Sequence, residues 1–395
     1  MIHKKIAHIH SVIRKLPVNQ IASRAIFKLS GGAVTLKPAS EPKGRVLLSY
    51  TTLPFLVKDP KILDGHSNRW ECVQMAQEFV DRGYIVDVID FNNGSFKPKH
   101  KYAYCIDIDS SLERLSKLLN PECILVFYAT AGHWLFWNSA EYNRLADIQK
   151  RRGATIFPRR TARPTRAPDV AHVLSSLCGT FPNSTYDFLK KPIFSVPPSS
   201  SHTYPEFDRD ISKARKNFIW FGGSGVVRKG LDLALEAFAG MPELTLAACG
   251  KYDGEKDFTD AYAKELTQTP NIKAMGHMDP SSKVFEDVLK NSISIVYPSS
   301  AEGCSTAVLL AMHAGLIPIV SKETGIETGD FGIMLPDCSL ESIRKAVRDL
   351  AAEPAEKLWE RSRKTREYVL KNHTRESFAA NFKSFVSYLE KNHAK

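Results

Sequence analysis

The feature that most constrains the fold of this chain is a regular alternation of short apolar runs with helical segments. In the first half, mainly apolar runs that predict strands lie at residues 45–50, 85–90, 123–128 and 154–157. Helical patterns at residues 70–82 and 139–152 lie between them. Because strand–helix alternation covers both faces of a parallel sheet with helices, this half is predicted to be a doubly wound α/β domain.

The second half of the chain repeats the alternation. Its predicted strands lie at residues 217–221, 244–249, 272–275, 292–297 and 316–320. Its predicted helices lie at residues 231–239, 255–267, 281–290 and 305–314. We therefore predict two Rossmann-like domains, and ligands of such domains bind beyond the carboxyl ends of the strands.

Length and local composition divide the chain into four regions. A chain of 395 residues accommodates two α/β domains, and residues 192–216, rich in proline and serine, are the best candidate linker. The predicted regions are a basic extension at 1–43, an N-terminal domain at 44–200, a C-terminal domain at 201–370 and a final helix at 371–395. The final helix carries a stripe of phenylalanines, so we expect it to pack back toward the N-terminal domain.

The loop after the first strand of the second half is the main candidate phosphate site. Its glycine-rich part consists of Gly222, Gly223, Ser224 and Gly225. Arg228 and Lys229 follow at the start of the next helix, where two cations and exposed N–H groups favour an anion. The spacing fits neither the dinucleotide-binding motif nor the ATP-binding phosphate loop, so we interpret the loop as a diphosphate site. A plain tight turn is the structural alternative.

Two further polar loops follow strands of the second half. Residues 297–306 place Glu302 just before an apolar helix, where the helix dipole stabilises a carboxylate. The free amides at the beginning of this helix belong to Cys304, Ser305 and Thr306. A capped helix whose acidic residue serves only stability is the alternative interpretation. Residues 320–327 form a third polar loop, which would be uninformative alone.

Together these loops resemble the retaining nucleotide-sugar transferases of glycosyltransferase family four. The stretch from Glu302 through residues 311–319 is similar to the family's E-G…E-A-M-x-x-G-x-P-V signature. The resemblance implies the GT-B fold, an α/β architecture of two Rossmann-like doubly wound domains with an interdomain cleft. It further implies that Arg228 and Lys229 hold the donor diphosphate and that Glu302 binds hydroxyls of the donor sugar. The amides of residues 304–306 would bind the sugar or a phosphate.

Two positions depart from the family pattern. Leu310 stands eight residues after Glu302, where the family usually has a second glutamate that binds ribose. The family also tends to have a histidine at the end of an N-domain strand, whereas the predicted strand at 154–157 is followed by Pro158. His133, which follows the preceding strand, is the substitute candidate for a catalytic residue. A structural histidine among aromatic neighbours is the alternative.

Candidate acceptor-side residues lie in the first half. Gly65, His66 and Asn68 belong to a loop that resembles the family's N-terminal glycine-bearing loop, which lines the cleft. Capping of the following helix is the commoner use of such residues. Arg159 and Arg160 follow the predicted strand at 154–157 and are expected to bind an acidic polysaccharide or a polyprenyl diphosphate. A solvated basic loop is the alternative.

A D-x-D pattern, formed by Asp107 and Asp109, raises the question of a metal. Two aspartates without further ligands are weak support for a metal site, and the pattern also suits the cap of the next helix. We therefore predict no metal and no cofactor. The nucleotide sugar, UDP- or GDP-linked, would be a substrate.

The net charge of +11 is concentrated near the N-terminus. Residues 1–43 hold eight Lys or Arg residues against Glu41 alone, and the apolar positions between them predict two short amphipathic helices. Such an extension either contacts an anionic membrane or simply caps the domain.

No run reaches membrane-spanning length, no secretory signal is apparent, and the scattered cysteines suit reduced thiols. We expect a cytoplasmic protein, peripheral on the inner face of the membrane if the extension binds lipid.

The expected function is retaining transfer of a sugar from a nucleoside diphosphate to a glycan or lipid-linked glycan acceptor, in surface polysaccharide synthesis. A weak or inactive nucleotide-sugar-binding scaffold on the same fold is the alternative, prompted by Leu310 and Pro158. Epimerisation of a nucleotide sugar shares the fold but not the signature. A nucleic-acid binder is not favoured, since no recognition helix, zinc spacing or aromatic RNA motif accompanies the basic residues.

Overall fold

The computed structural model describes residues 31–57 and 59–393. The strands of the N-terminal half are β1 Ala33–Leu36, β2 Gly44–Tyr50, β3 Tyr84–Asp90, β4 Tyr104–Asp107, β5 Ile124–Ala129, β6 Val173–Ser176 and β7 Ile193–Ser195. Its helices are α1 Leu53–Leu56, α2 Ser67–Asp81, α3 Ser111–Leu115, α4 Trp134–Arg152, α5 Ala167–Val170 and α6 Thr180–Ser184. The strands have the order β1-β3-β2-β4-β5-β6-β7, in which β1 is antiparallel to β3 and the other pairs are parallel.

The C-terminal half forms a second parallel sheet, of order β10-β9-β8-β11-β12-β13. Its strands are β8 Asn217–Gly222, β9 Thr245–Gly250, β10 Ile272–Gly276, β11 Ser294–Tyr297, β12 Ile317–Val320 and β13 Ile333–Met334. Its helices are α7 Ile211–Ala214, α8 Leu231–Ala239, α9 Lys256–Ala261, α10 Ala263–Thr267, α11 Lys283–Lys290, α12 Thr306–His313, α13 Leu340–Ala352, α14 Ala355–Asn372 and α15 Arg375–His393. Strands such as β11 and β12 are buried at every position, as expected for sheets covered on both faces. The predicted α/β class is confirmed.

The strand predicted at residues 154–157 is wrong, because this segment joins neither sheet. Side chains satisfy its backbone groups instead of a neighbouring strand. The N–H of Phe157 donates to Asp257 at 2.8 Å, and the N–H of Ala162 donates to Asn138 at 2.8 Å. The short apolar run therefore correctly predicted that Ile156 is buried, but the segment does not form a strand.

The N-terminal sheet begins before the predicted boundary at residue 44. β1 pairs with β3 in the register Ala33 to Ile89 and Leu36 to Val86. Part of the segment assigned to a basic extension thus belongs to the sheet. The two amphipathic helices predicted for this extension lie in residues 1–30, outside the described part of the chain.

The C-terminal helix α15 packs on the N-terminal half through its phenylalanines. Phe378 contacts Trp70 with ring centroids 6.0 Å apart, and Phe382 contacts Phe79 at 6.1 Å. Near the end of α15, Glu390 accepts a hydrogen bond from Arg82 at 2.5 Å. The chain therefore returns to the first sheet after completing the second. Among the described helices, none combines the length and apolarity that a bilayer span needs.

Candidate functional site

The cationic pair of the second half lies directly after β8, in the loop that leads to α8. Gly230 follows the pair with a φ of 80°, and a Cβ there would lie 2.4 Å from a backbone carbonyl oxygen of the loop after β11. Only glycine fits this close approach. The carbonyl of Arg228 accepts from the Ser300 N–H at 2.8 Å, and that of Lys229 accepts from the Trp220 indole at 3.0 Å. Neighbouring strand ends thus fix the backbone of both cations.

The side chain of Arg228 is fully buried, and its guanidinium has no hydrogen-bond partner among the described residues. The guanidinium lies over the Trp137 ring, 3.9 Å from the centroid. Two carboxylates approach it at longer distances than a hydrogen bond, Glu302 at 3.5 Å and Glu141 at 3.7 Å. A buried guanidinium is costly unless its N–H groups are bonded, so this side chain is suited to a further anionic partner.

Lys229 and Glu302 form a buried ion pair beside Arg228. The Lys229 ammonium donates to Glu302 Oε1 and to the Tyr297 hydroxyl at 3.1 Å. Burial would raise the pKa of Glu302, but the charges of Lys229 and Arg228 outweigh it and lower the pKa to about 2. Burial lowers the pKa of Lys229 to about 8, with Arg228 acting in the same direction and Glu302 opposing. Arg228 and Lys229 therefore share the Glu302 carboxylate, and Arg228 also lies near Glu141.

Helix α4 of the N-terminal half covers the cationic pair. Trp137 and Glu141, one turn apart on α4, contact Arg228 from the opposite side of the domain interface. Further along α4, Arg144 donates to the Pro298 carbonyl at 3.1 Å. Sequence reasoning missed Trp137 and Glu141. The two residues are four positions apart, which places them on the same face of α4. This spacing is the signal that could have indicated a functional face of the helix.

The same helix also holds the two halves together through ion pairs, which we call the paired cluster. Its members are Arg144, Arg151 and Arg152 of α4, and Asp232, Glu236 and Glu265 of the C-terminal half. Arg151 donates to Asp232 at 2.8 Å, and Arg152 donates to Glu265 at 2.8 Å. Every carboxylate here has an arginine within ion-pair distance.

The glycine-rich loop before the cations does not present all its amides. The Gly225 N–H donates to Glu255 Oε1 at 2.5 Å, so this amide is already bonded. Gly222 is buried against the Trp220 ring, while Gly223 and Ser224 are exposed. Gly223 and Ser224 are therefore the accessible residues of the predicted donor-binding loop. Sequence reasoning missed Glu255, whose carboxylate follows the neighbouring strand β9.

The loop from Glu302 to α12 faces the N-terminal half across the interface. The Gly303 carbonyl accepts from the Gly179 N–H at 3.1 Å, and a Cβ on Gly303 would lie 2.3 Å from a carbonyl oxygen at the end of β5. The Ser305 amide donates to the Thr324 carbonyl at 3.0 Å, so it is not free for a ligand.

The neighbours of Ser305 in this loop were also predicted to bind the donor. Cys304 is buried, and Thr306 begins α12. The structure therefore places these two residues beside Glu302, as the resemblance implies, and shows that Ser305 has a structural hydrogen bond.

The loop before α2 brings His66 toward the cationic pair. His66 is the N-cap of α2, its ring accepting the Asn68 N–H at 3.3 Å. Desolvation and the charges of Arg69, Arg160 and Lys229 lower the pKa of His66. Gly65 lies against Arg69, since a Cβ there would be 2.4 Å from its guanidinium. His66 therefore caps α2, as the alternative interpretation states. The charges of Arg160 and Lys229 also act on its pKa.

Among the described residues, His133 forms no hydrogen bond or ion pair with Arg228 or Lys229, although it lies one turn before Trp137 on α4. His133 is the N-cap of α4, and its ring accepts the Leu135 N–H at 3.4 Å. The ring packs edge-on against Phe188 at 5.0 Å and against Tyr186 at 5.7 Å. Burial lowers the pKa of His133. These contacts support the alternative interpretation, in which His133 is a structural histidine among aromatic neighbours.

Arg159 and Arg160 lie against the donor loops of the C-terminal half. Arg159 donates to Asp257 at 2.6 Å, a contact across the interface. Arg160 lies over Gly225, where a Cβ would be 2.2 Å from the arginine Cγ. The structure therefore places Arg160 at the predicted phosphate loop and Arg159 against α9, where it is already paired.

The remaining predictions concern Leu310 and the D-x-D pattern. Leu310 is buried in the core on α12, with no polar role. Asp107 accepts the N–H groups of Leu112 at 2.9 Å and of Asp109 at 3.2 Å, and burial raises its pKa to about 7. Asp107 thus accepts a hydrogen bond from the first turn of α3, whereas the N-cap residue Ser110 makes no side-chain capping bond. In the described ranges, no group of three or more His, Cys, Asp or Glu side chains is arranged to hold a metal.

Comparison with known proteins supports the interpretation of the fold. Residues 205–372 match the family model of glycosyl transferases group 1. HepE of Anabaena, solved with UDP and glucose, is 11% identical and has a TM-score of 0.56, with 87% of this chain and 100% of that chain covered. No curated protein matches the chain by sequence.

Two further solved structures are similar to this chain. Sucrose-phosphate synthase of Thermosynechococcus elongatus is 13% identical, with a TM-score of 0.59 and coverage of 89% of this chain and 100% of that chain. A UDP-forming α,α-trehalose-phosphate synthase of Burkholderia xenovorans is 11% identical, with a TM-score of 0.52 and coverage of 88% and 84%. Residues 205–372 are therefore similar to the glycosyl transferases group 1 family, and the chain shares the two-domain GT-B fold of these solved structures.

Proposed function

We propose that this protein transfers a sugar, with retention of configuration, from a nucleoside diphosphate sugar to a glycan or lipid-linked glycan. The observation that carries the proposal is the guanidinium of Arg228, which is buried without a hydrogen bond beside Lys229. An unsatisfied buried cation next to a second one is well suited to two phosphate groups. The structures solved with UDP and glucose support a nucleotide sugar as the donor.

The proposed chemistry relies on positioning and on stabilisation of the leaving diphosphate. Arg228 and Lys229 would neutralise the charge that develops on the diphosphate as the glycosidic bond breaks. Glu302, with a pKa lowered to about 2, is ionised at neutral pH and would accept hydrogen bonds from donor sugar hydroxyls. We propose that these side chains act without a metal and that the protein uses no cofactor.

The retaining stereochemistry and the donor base are both open to direct measurement. UDP- and GDP-sugars are offered with a panel of glycan and lipid-linked glycan acceptors, and the product linkage is assigned by proton NMR. We expect the anomeric configuration of the donor to persist in the product. An inverted product contradicts retention, and binding of nucleotides without turnover with any acceptor favours the scaffold alternative.

The scaffold alternative rests on two observations. Leu310 leaves the family's ribose-binding position apolar and buried, and Arg228 is covered by Trp137 of α4. A protein that binds nucleotide sugars without transferring them would show both features. Measured turnover is therefore the deciding quantity, since nucleotide affinity is expected in either case.

We also propose that residues 1–43 contact an anionic membrane, where the protein would meet a lipid-linked acceptor for surface polysaccharide. Because β1 belongs to the sheet, the informative deletion ends at residue 30. A chain that starts at Gly31 should lose sedimentation with phosphatidylglycerol vesicles and keep its thermal stability. Equal sedimentation of both chains contradicts the membrane contact.

A further inference from the structure

We infer that Arg160 of the N-terminal half is a third phosphate-binding cation of the donor site, acting with Arg228 and Lys229 across the domain interface. The inference rests on the proposed function and reassigns Arg160, which the sequence indicated for the acceptor. Packing of the N-terminal half against the C-terminal half would then complete the diphosphate site.

The backbone of Arg160 is held by the two α4 residues that contact Arg228. The Trp137 indole donates to the Arg160 carbonyl, and the Arg160 N–H donates to Glu141 Oε1 at 3.4 Å. The Trp137 ring lies 3.9 Å from the Arg228 guanidinium, and Glu141 Oε2 lies 3.7 Å from its Nε. One face of α4 therefore fixes both arginines relative to each other.

The side chain of Arg160 points to the phosphate loop. A Cβ built on Gly225 would lie 2.2 Å from Arg160 Cγ and 3.3 Å from Cδ, so the arginine stem passes directly over this glycine. The positive charge of Arg160 is close enough to lower the pKa values of Lys229 and Glu302. It also lowers the pKa of His66. The three cations thus converge on one place.

The guanidinium of Arg160, an exposed residue, differs from that of its neighbour in having no partner in the part of the chain that the structure describes. Arg159 is paired with Asp257 at 2.6 Å, and the arginines of the paired cluster all meet carboxylates. No described residue accepts a hydrogen bond from the side chain of Arg160 or from that of Arg228. Among the described residues, the carboxylates within ion-pair distance of these cations are those of Glu302 and Glu141. A diphosphate supplies the missing charge and the missing acceptors.

The test compares Arg160→Gln with Arg163→Gln, which removes the same charge three residues further along the same exposed segment. UDP, GDP and ADP are first titrated into wild-type protein by calorimetry, and the tightest of them is used for the variants. We expect Arg160→Gln to weaken binding of the nucleoside diphosphate on the order of tenfold or more, since hydrogen bonds to charged groups are lost. Binding of the corresponding nucleoside should not change, and Arg163→Gln should match wild type. Arg160→Lys should recover part of the loss.

The outcomes separate this inference from the function on which it rests. Unchanged diphosphate affinity in Arg160→Gln, together with a loss in Arg228→Gln, overturns the inference and leaves the donor site intact. An increased KM for acceptor with unchanged diphosphate affinity also overturns it, and assigns Arg160 to an anionic acceptor. Failure of wild-type protein to bind any of the three diphosphates overturns both proposals.

Discussion

Two sets of cations meet the same domain interface and differ in their partners. In the paired cluster, Arg151 and Arg152 of α4 form hydrogen-bonded ion pairs with Asp232 and Glu265. A short distance away, the guanidinium of Arg228 is more deeply buried and has no hydrogen bond. Ion pairs with satisfied geometry hold elements together, whereas a buried cation without bonded acceptors lowers stability. The difference indicates a structural role for the first set and supports the proposal that the second set binds a ligand.

The largest expected effect breaks the paired cluster. Asp232→Ala removes the carboxylate that faces both Arg144 and Arg151, leaving buried Arg144 without an ion-pair partner. We expect a loss of about 3–5 kcal/mol in the free energy of unfolding, measured by urea denaturation with tryptophan fluorescence. Glu243→Ala, which removes an exposed pair with Arg348, should have a much smaller effect on the free energy of unfolding. Equal midpoints for the two variants would contradict a structural role for Asp232.

The second prediction concerns activity at the other set of cations. Arg228→Ala and Lys229→Ala should each lower turnover on the order of 100-fold or more, because each removes a preorganised charge at the leaving diphosphate. Initial rates with saturating nucleotide sugar and acceptor measure the effect. Arg348→Ala removes an exposed arginine of the same half and should keep the wild-type rate. Full activity in both site variants would refute the donor site.

A third substitution tests whether Arg228 lowers the folding stability of the protein while being needed to bind the ligand. Arg228→Met replaces an unsatisfied buried cation with an apolar side chain of similar length, which we expect to raise the free energy of unfolding by about 1 kcal/mol. Diphosphate binding should be lost at the same time. The matched variant Arg144→Met removes a hydrogen bond to Pro298 and an ion pair with Asp232, and should destabilise. A destabilised Arg228→Met variant would mean that this arginine serves the fold.

The mildest perturbation, a change of pH without a substitution, should also alter diphosphate affinity. Burial lowers the pKa of Lys229 to about 8, so the ammonium that attracts phosphate loses its proton as the pH rises above that value. Affinity of the free protein should be level below this pKa and fall by up to about tenfold per pH unit above it. Calorimetric titration between pH 6.5 and 9.5 measures the change. In Lys229→Arg the fall should move beyond this range, since guanidinium stays charged. If the wild-type affinity does not fall in this way, the charge of Lys229 does not contribute to diphosphate binding.

The fold and the centre of the site could be predicted from the sequence to a large extent. The helix predicted at 231–239 matches α8, and the strand predicted at 217–221 matches β8 to within one residue. Arg228, Lys229 and Glu302 were predicted together and lie together. Local patterns sufficed because all three follow strands of one parallel sheet, whose carboxyl ends meet at the same edge.

Other site features depended on contacts that no local pattern contains. Trp137 and Glu141 were not singled out, because their importance comes from Arg228, which lies about ninety residues later and touches them only through domain packing. The run at 154–157 was predicted to be a strand, yet its Phe157 N–H donates to Asp257, and just beyond the run the Arg159 N–H donates to Glu141 of α4. His133 was a catalytic candidate whose ring packs among aromatic residues instead.

By itself, the sequence determined two doubly wound sheets and the loop that carries the cationic pair, because hydrophobic periodicity and glycine placement act over a few neighbouring residues. Only the tertiary structure decided which arginines are neutralised and which are not. Arg159 and Arg160 are adjacent and chemically identical in the sequence, but Asp257 reaches one and no described carboxylate pairs with the other. Electrostatic pairing depends on distance in space, and the docking of one domain on the other sets that distance.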